Sequence, residues 1–397
     1  MGYIDRLVEP RLRAVLARGK SVLLLGPRQT GKSTLLGRFP VDLSLNLANP
    51  SERQRLERRP STLIEEGRSL KSTLRRVPLI VADEVQKVPD LMDAAQVLID
   101  ERTAQLVLTG SSSRKLRRGA RVNLLPGRVI PLHLDPLTHH EIPASTLEEH
   151  LMYGSLPGIH GLSSPMEKEE MLEAYGVSYL EEEVRAEGLA RNLASFGRFL
   201  ELAASESGQV VNFLKLSQKI GVSHTTIMDY YQVLEDCLIA ERFEPITDSA
   251  TRKRLIRSPK FVLFDLGVRR VCAREGTRPP LEHWGRLLEQ WVGLELARLG
   301  RLSAGVRWRV RFWRDPSGRE VDWVLEGEDR WTPIEVKWTE APSPADAVHL
   351  HAFQRENKKA GSGYIISRAP RSIRLSDTVT ALPWNRLGDI FKNVRQA

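Results

Sequence analysis

Gly26-Pro27-Arg28-Gln29-Thr30-Gly31-Lys32-Ser33 decides the fold of the N-terminal part of the chain. This stretch matches the phosphate-loop pattern G-x-x-x-x-G-K-[ST] in full. The apolar run 21–25 predicts a strand before it, and the residues from Lys32 onward predict a helix after it. The glycines let the backbone N–H groups turn toward phosphate oxygens, and the helix N-terminus favours the same anions. We therefore predict that Gly26 to Thr34 bind ATP, with Lys32 at the β and γ phosphates and Ser33 on Mg²⁺.

A second strand is predicted to carry the acids that such a site needs. The run Leu79-Ile80-Val81-Ala82-Asp83-Glu84 is apolar and ends in two carboxylates. Asp83 is expected on the magnesium side, and Glu84 is expected to polarise the attacking water, which favours hydrolysis over binding alone. The alternative is a strand that simply ends in solvated acids.

A third strand, 106–108, ends in Thr109-Gly110-Ser111. In a parallel sheet this strand would lie beside the one that carries Asp83. Thr109 or Ser111 would then sense the γ-phosphate, and we include Ser111 among the nucleotide-binding residues. A plain turn at the strand end is the alternative.

Composition narrows the class of protein. The 397 residues carry 59 basic and 50 acidic side chains, a formal net charge of +9 that favours an anionic partner such as DNA over simple solvated surfaces. Two cysteines, Cys237 and Cys272, are too few for a disulfide framework or a cysteine zinc site. No run approaches the ~18 apolar residues of a membrane span, and the N-terminus has no signal-peptide pattern. We expect a soluble cytoplasmic protein without a membrane contact.

The order of patterns along the chain predicts an α/β protein with four modules. Alternating strands and helices indicate a P-loop core at 1–137. A mainly helical stretch at 138–205 is expected to form a helical lid. A winged helix-turn-helix is predicted at 206–250, and a mixed α/β module at 251–397.

Four groups of residues together resemble one family, the bacterial and archaeal AAA-type ATPases with a C-terminal domain of unknown function. They are the phosphate loop with Pro27-Arg28-Gln29, Asp83-Glu84-Val85-Gln86, Thr109-Gly110-Ser111-Ser112, and Leu124-Leu125-Pro126-Gly127-Arg128. The resemblance continues through Gly154-Ser155-Leu156-Pro157-Gly158. It implies that nucleotide sites lie between subunits of a homo-oligomer, which we expect to be a hexamer. It also makes Arg128 the best candidate for an arginine finger, with Arg114, Arg117, Arg118 and Arg121 as alternatives.

The predicted helix-turn-helix has few side chains suited to binding DNA. Gly221-Val222-Ser223 forms the turn, and Ser223 is placed to cap the second helix. The exposed candidates on that helix are His224, Thr225, Thr226, Asp229 and Gln232, which offer no basic side chain to phosphates. A packing role is therefore the main alternative, although the adjacent Arg252-Lys253-Arg254 would still contact a DNA backbone.

The last module carries a second constellation of charged residues. Glu289 on a long helix, Asp322 on a strand and Glu335-Val336-Lys337 on the next strand resemble the restriction-endonuclease-like fold with its D…E-x-K site. The three carboxylates would hold Mg²⁺, and Lys337 would orient the water that attacks a phosphodiester. Asp322 and Glu335 in ordinary surface ion pairs are the alternative.

The hairpin that carries Asp322 has a two-sided pattern. Pairing Val306, Trp308, Val310 and Phe312 with Val321, Trp323 and Leu325 puts Arg307, Arg309 and Arg311 on the side of Asp322, as a DNA backbone would require. On the helix, Gly285 and Gly293 flank Glu289 by four residues on either side and are expected to leave its carboxylate open.

We interpret the chain as an ATP-hydrolysing protein that binds and remodels DNA, in repair or recombination and on branched DNA. Its C-terminal module would be nuclease-like. A nucleotide-dependent switch that senses a protein partner in signalling or defence is one alternative. A metal-dependent nuclease gated by the ATPase is another.

Overall fold

The computed structural model describes residues 2–112, 125–176, 193–247, 258–303, 307–315 and 317–396. Cα packing divides the chain into two units. The first unit comprises Met1–Leu137, Leu156–Gly158 and Gln232–Ile239, and the second comprises Thr138–Ser155, Ile159–Tyr231 and Ala240–Ala397. The division into four modules stays a prediction.

The first unit is built on a parallel sheet. Its five described strands are β1 Ser21–Leu25, β2 Leu43–Asn46, β3 Leu79–Asp83, β4 Gln105–Gly110 and β5 Val129–His133. They lie in the order β2-β3-β4-β1-β5, and every pair is parallel. The parallel α/β core predicted from the sequence is confirmed, as is the position of β4 beside β3. All five carboxyl ends meet at one edge, where the phosphate loop follows β1.

The strand β5 did not stand out in the sequence. It contains Pro131, which lacks a backbone donor and therefore weakens the strand pattern. The structure accommodates this proline because β5 is an edge strand of the sheet.

Helices cover the sheet of the first unit. They are α1 Glu9–Ala17, α2 Lys32–Leu36, α3 Pro50–Arg58, α4 Thr62–Leu74 and α5 Leu91–Asp100. Leu63 on α4 and Leu98 on α5 are fully buried against Ile80. The two helices approach closely at Gly67, where a Cβ atom would lie 2.8 Å from the Leu98 side chain. This packing holds the strand that carries Asp83 rigidly in place.

Between β5 and β6 the described chain is helical, as predicted for 138–205. The elements are α6 Leu147–Tyr153, α7 Pro157–His160, α8 Pro165–Ala174, α9 Leu193–Ser205, α10 Phe213–Ile220 and α11 His224–Asp236. The predicted turn is present, since Gly221 has φ 80° and ends α10. The Ser223 Oγ accepts the Thr226 N–H at 3.1 Å and caps α11, as predicted.

The rest of the second unit is mixed α/β. The strands β6 Ala240–Phe243 and β7 Lys260–Leu263 form an antiparallel pair. A second sheet has the order β12-β13-β11-β10-β9-β8. Its strands are β8 Arg309–Arg314, β9 Glu320–Glu326, β10 Trp331–Lys337, β11 Gly363–Ser367, β12 Ile373–Arg374 and β13 Val379–Pro383. The helices are α12 Leu266–Cys272, α13 Leu281–Leu302, α14 Val348–Glu356 and α15 Asp389–Gln396.

Two apolar clusters fix this second sheet. Trp291 of α13 belongs to one cluster with Trp323 and Ile334. Leu350 and Phe353 of α14 belong to the other. The strands β9 and β10, which carry Asp322 and Glu335, are thus packed into both clusters and are held between them.

The β8–β9 hairpin follows the predicted register only in part. Val310 opposes Leu325, as the apolar pattern requires, but the register shifts between Arg311 and Trp313. Trp313 then opposes Val321 and packs in the cluster of α14, whereas Phe312 stays with Trp323. Val306 lies outside the described residues.

None of the helices in the described part of the chain combines the length and the apolar character needed to cross a bilayer.

Candidate functional site

The phosphate loop has the backbone that its sequence requires. A Cβ atom at position 26 would lie 2.2 Å from the Leu134 carbonyl oxygen, so only glycine fits there. Gly31 has φ 91° and precedes the first turn of α2, and Gln29 also adopts a left-handed conformation at φ 59°. The loop therefore curls at the carboxyl edge of the sheet, directly before a helix N-terminus.

Lys32 lies inside this curl. Its ammonium group donates to the carbonyl oxygens of Gly26 at 2.8 Å and Pro27 at 2.9 Å, and the residue is buried. Thr30 closes the loop from the other side, since its Oγ1 donates to the Pro27 carbonyl oxygen at 2.8 Å. The positive charge is thus held inside the loop that is predicted to bind the β and γ phosphates.

Ser33, Asp83 and Thr109 meet at the ends of neighbouring strands. The Ser33 hydroxyl donates to Asp83 Oδ2 at 2.7 Å, and the Thr109 hydroxyl donates to Asp83 Oδ1. A hydroxyl and a carboxylate that face each other are oxygen ligands of the kind Mg²⁺ prefers. The residues present therefore fit a magnesium ion bound together with a nucleotide.

Glu84 follows Asp83 in a left-handed backbone conformation, φ 63°, which turns its side chain away from the strand direction. Its Oε2 accepts two hydrogen bonds, from Gln86 Nε2 at 2.5 Å and from the Ser111 hydroxyl at 2.9 Å. Gln86 Nε2 also donates to Ser111 Oγ at 3.0 Å. The predicted Ser111 thus contacts the predicted base, and a buried glutamine to which the sequence analysis gave no role joins the two.

A cleft of about 400 Å³ lies beside the loop within the first unit. It is lined by Gly31 and Thr34 and by residues without a predicted role, which are Gly2, Tyr3, Ile4, Arg6, Leu137, Pro157 and Gly158. Arg6 fixes the N-terminal segment to the loop, since it donates to the carbonyl oxygens of Thr30 and Asp135, each at 2.6 Å. Pro157-Gly158 could have pointed to this cleft, because the run belonged to the family resemblance but had no predicted role.

Arg128 lies away from the phosphate loop of its own chain. It immediately precedes β5, whose first residue Val129 opposes Ser21 at the start of β1, whereas the loop follows the last residue of that strand. Its guanidinium donates to the Asp100 carboxylate at 2.6 and 3.0 Å. A role in the same chain is therefore excluded, and a role toward a second chain stays a prediction. Arg114, Arg117, Arg118 and Arg121 are outside the described residues.

The helix α11 presents the surface that the sequence analysis expected. His224, Thr225, Asp229 and Gln232 are exposed, and Thr226 is half-buried. Arg252, Lys253 and Arg254 lie outside the described residues, so their proposed DNA contacts stay predictions.

The carboxylates of the C-terminal constellation are neighbours in the second unit. Asp322 is 8% exposed, and its Oδ2 accepts the Val336 N–H at 2.8 Å. Burial, together with the nearby Glu335 and Glu289, raises the pKa of Asp322 well above its ordinary value. Lys337 donates to Glu335 Oε1 at 2.8 Å, which is the pair that the alternative anticipated, although Glu335 is buried and not at the surface.

The predicted metal site is nevertheless not assembled. Among the residues that the structure describes, no group of three or more His, Cys, Asp or Glu side chains is placed to hold a metal ion. Glu289, the intended third ligand, instead accepts a hydrogen bond at 2.7 Å from the ammonium group of Lys260 on β7. The residues present do not fit the divalent ion that the sequence pattern implied, because a lysine already neutralises this carboxylate.

Two further expectations about this site hold only in part. Gly285 leaves space, since the nearest atom to a Cβ there is Trp338 Cβ at 3.9 Å, but Gly293 does not, since a Cβ atom there would lie 2.4 Å from Trp323, whose indole N–H donates to the Glu289 carbonyl oxygen at 2.9 Å. Arg309 and Arg311 oppose Glu326 and Val324, which occupy alternate positions along β9 together with Asp322, but Arg311 bonds Glu326 at 3.3 Å and the Pro245 carbonyl oxygen at 3.0 Å. Arg307 and Arg309 are exposed.

Three family models match consecutive parts of the chain. An AAA domain matches residues 18–143, a domain of unknown function (DUF8612) matches 144–278, and another (DUF4143) matches 284–387. The N-terminal part is thus an AAA-type P-loop domain. Two uncharacterized mycobacterial proteins, from Mycobacterium tuberculosis and Mycobacterium bovis, are each 28% identical over 383 residues, which cover 95% of this chain and 83% of theirs.

Two solved structures resemble this chain only weakly. The crystal structure of Cdc6p from Pyrobaculum aerophilum is 14% identical, with a TM-score of 0.27 over 69% of this chain and 95% of its own. Protein VC1899 from Vibrio cholerae is 13% identical, with a TM-score of 0.22 over 95% of this chain and 97% of its own. Scores this low do not define a common architecture.

Proposed function

We propose that the chain hydrolyses ATP at the carboxyl edge of the first sheet. The observation that carries this proposal is the convergence of Lys32, the Ser33–Asp83 pair and Glu84 beside one phosphate loop. Loop N–H groups and Lys32 would bind the β and γ phosphates, and Glu84 would accept a proton from the attacking water.

Ser33 and Asp83 would hold the magnesium ion that accompanies ATP. Such an ion would offset the negative charge that develops on the phosphate oxygens. The Thr109 hydroxyl donates to Asp83 Oδ1 and so keeps Asp83 Oδ2 turned toward the Ser33 hydroxyl. The Ser33 oxygen and Asp83 Oδ2 would therefore lie side by side as ligands of the ion.

The cleft beside the loop would receive the base and sugar of the nucleotide. Tyr3, Ile4, Leu137 and Pro157 give it apolar walls, and its volume of about 400 Å³ suits a nucleoside. Because Arg6 ties the N-terminal segment to the loop at Thr30, filling the cleft and filling the loop would be coupled.

The first experiment compares ATP turnover by the full chain with turnover by Lys32→Ala and Glu84→Gln. Lys32→Ala is expected to lose binding and turnover, and Glu84→Gln to bind ATP without cleaving it. Lys20→Ala is the matched control, since Lys20 is an exposed lysine just before β1. Turnover in Glu84→Gln at the rate of the unmodified chain would exclude Glu84 as the base.

We propose further that hydrolysis acts on DNA. The formal charge of +9 supports an anionic partner. In the second unit, Arg242, Arg301, Arg309 and Arg311 are among the residues that line one cavity of about 360 Å³. Glu244 and Glu241, which also line it, pair with Arg242 at 2.6 Å and with Arg301 at 2.7 Å, so the charged lining keeps an excess of arginine. Repair or recombination on branched DNA remains our working assignment, without cleavage as part of it.

A protein-sensing switch is the second candidate, and the bonds at Glu84 favour it. Gln86 and Ser111 hold the carboxylate in place, so hydrolysis would wait for a partner to release it. Turnover measured with single-stranded, duplex and four-way-junction DNA separates the two. Strong stimulation by one DNA form supports the DNA role, and slow turnover with retained ADP and no response to any DNA supports the switch.

A further inference from the structure

The side chain of Lys260 is buried among groups that the nuclease-like pattern reserves for a metal. The residue is 5% exposed, and its ammonium group lies 2.7 Å from Glu289 Oε1. The same nitrogen is 5.0 Å from the ring centre of Phe312 and 5.1 Å from that of Trp323. Two aromatic faces and a carboxylate therefore fix one positive charge at this point.

We propose that Lys260 is a built-in cation that takes the place of the divalent metal, so that the C-terminal module neither loads Mg²⁺ nor cuts DNA. Lys260 sits on β7, outside the D…E-x-K pattern, and it reaches the Glu289 end of the carboxylate group. Lys337 reaches the other end through Glu335. The cluster has its counter-charges in the chain itself.

The charge balance supports this assignment. Even with Glu289, Asp322 and Glu335 all counted as ionised, the two ammonium groups that they face leave at most one formal negative charge. A divalent ion would turn this into at least one positive charge in a buried place, and burying a net charge is costly. Glu320, the next carboxylate along β9, also acts electrostatically on Lys260 and Glu335, but its side chain is partly solvent-exposed and its charge is offset by Arg314 at 3.6 Å.

Removing the lysine charge should expose a latent metal site. Glu335 Oε2 is buried and has no hydrogen-bond partner among the described residues, so one carboxylate oxygen is available to a ligand. In Lys260→Met the side chain still fills the space between Phe312 and Trp323 but carries no charge. Three carboxylates and one lysine would then be balanced by one divalent ion.

The test measures Mn²⁺ uptake by electron paramagnetic resonance in the nucleotide-free full chain, with Lys32→Ala in every protein so that no nucleotide-bound metal contributes. The parent is expected to take up no saturable Mn²⁺. Lys260→Met is expected to gain one site, at least about tenfold tighter than any uptake by the parent, and to lose it again with Asp322→Asn. Lys358→Met, at an exposed lysine of the second unit outside the carboxylate group, is the matched control and is expected to behave like the parent.

Two results would overturn the proposal. One is stoichiometric Mn²⁺ uptake by the parent that Asp322→Asn abolishes. The other is a Lys260→Met protein that unfolds as cooperatively as the parent yet gains no site. If Lys260→Met does not fold, the melting temperature of the parent is measured with and without Mn²⁺. A melting temperature that Mn²⁺ does not change supports the proposal. An increase that Asp322→Asn removes contradicts it. None of these readings depends on ATP hydrolysis.

Discussion

At the scale of single residues, the bonds to Glu84 are the main determinant of basal activity in the proposed mechanism. Gln86 and Ser111 both donate to the same carboxylate oxygen, Oε2. Two donors therefore engage the carboxylate that should accept a proton from water. In the proposed mechanism, this oxygen accepts the proton only after one of the two bonds is released.

We expect Ser111→Ala to raise basal ATP turnover by about tenfold or less, since one charge-assisted hydrogen bond of roughly 1.5 kcal/mol is removed. Steady-state phosphate release measures it, and Ser112→Ala is the neighbouring control. A clear drop in turnover would instead show that Ser111 positions Glu84 productively, and the gating role would be abandoned.

A second residue-scale property is the neutral state of the buried histidines in the second unit. Burial, together with His139 and Arg298, lowers the pKa of His150 to about 3, and burial lowers the pKa of His139 to about 4. The unfolded chain takes up these protons near pH 6.5, whereas the folded chain does not. The stability they contribute is therefore present above pH 6.5 and is lost as the pH falls.

We expect His150→Asn to flatten this loss. Asparagine can keep the contact that His150 Nδ1 makes with Ser155 Oγ at 3.4 Å, but it does not titrate. Below pH 6.5 the free energy of unfolding should fall less steeply in the variant, by up to about 1.4 kcal/mol per pH unit. Urea denaturation between pH 7 and 5 measures the two slopes. Burial raises the pKa of Glu295 to about 7, which acts in the opposite direction in both proteins, so only the difference is diagnostic. Equal slopes would contradict a buried neutral His150.

At the scale of elements, the helix α13 is positioned by a close approach to β9. Gly293 touches the Trp323 ring, where a Cβ atom would lie 2.4 Å away, while the nearest atom to a Cβ on Gly285 is Trp338 Cβ at 3.9 Å. Both glycines belong to the same helix. Substituting each by alanine therefore compares the cost of a close contact with the gain in helix propensity.

Gly293→Ala should lower the free energy of unfolding by about 1–3 kcal/mol, because the helix must move off the strand. Gly285→Ala should raise it by roughly 0.5–1 kcal/mol, since alanine favours the helix and its Cβ would make only an ordinary van der Waals contact with Trp338. Urea denaturation of the full chain gives both values. If both substitutions change the free energy of unfolding in the same direction, the contact between Gly293 and Trp323 does not determine how α13 is positioned.

Elements also show what the sequence could and could not reveal. The phosphate loop, the strand before it and the acids after β3 were predictable because each depends on residues adjacent in the chain. The bonds of Gln86 to Ser111, of Lys260 to Glu289 and of Arg6 to Thr30 were not, since each joins segments at least 24 residues apart. The register shift in the β8–β9 hairpin likewise moved Trp313 to a face that simple alternation assigns to solvent.

At the scale of the whole molecule, the predicted arginine finger Arg128 lies away from the phosphate loop of its own chain. Arg128 stands at the amino edge of the sheet, opposite the phosphate loop, and is bound to Asp100. Bidentate binding to a surface carboxylate is weak enough to be exchanged for a phosphate on another chain. This is the arrangement expected if sites form between subunits of a homo-oligomer.

We expect Arg128→Ala and Lys32→Ala each to lose most ATP turnover when alone. A mixture of the two should recover part of it, because one chain then offers an intact phosphate loop and its neighbour an intact Arg128. The positive control is Asp100→Asn, which frees Arg128 without removing it and should keep its turnover. If Arg128→Ala binds ATP without turning it over, and mixing restores turnover, Arg128 acts in the neighbour's site. Full activity of Arg128→Ala alone would exclude Arg128 as the arginine finger. A loss that no mixture restores would leave Arg128 with a purely structural role in the sheet.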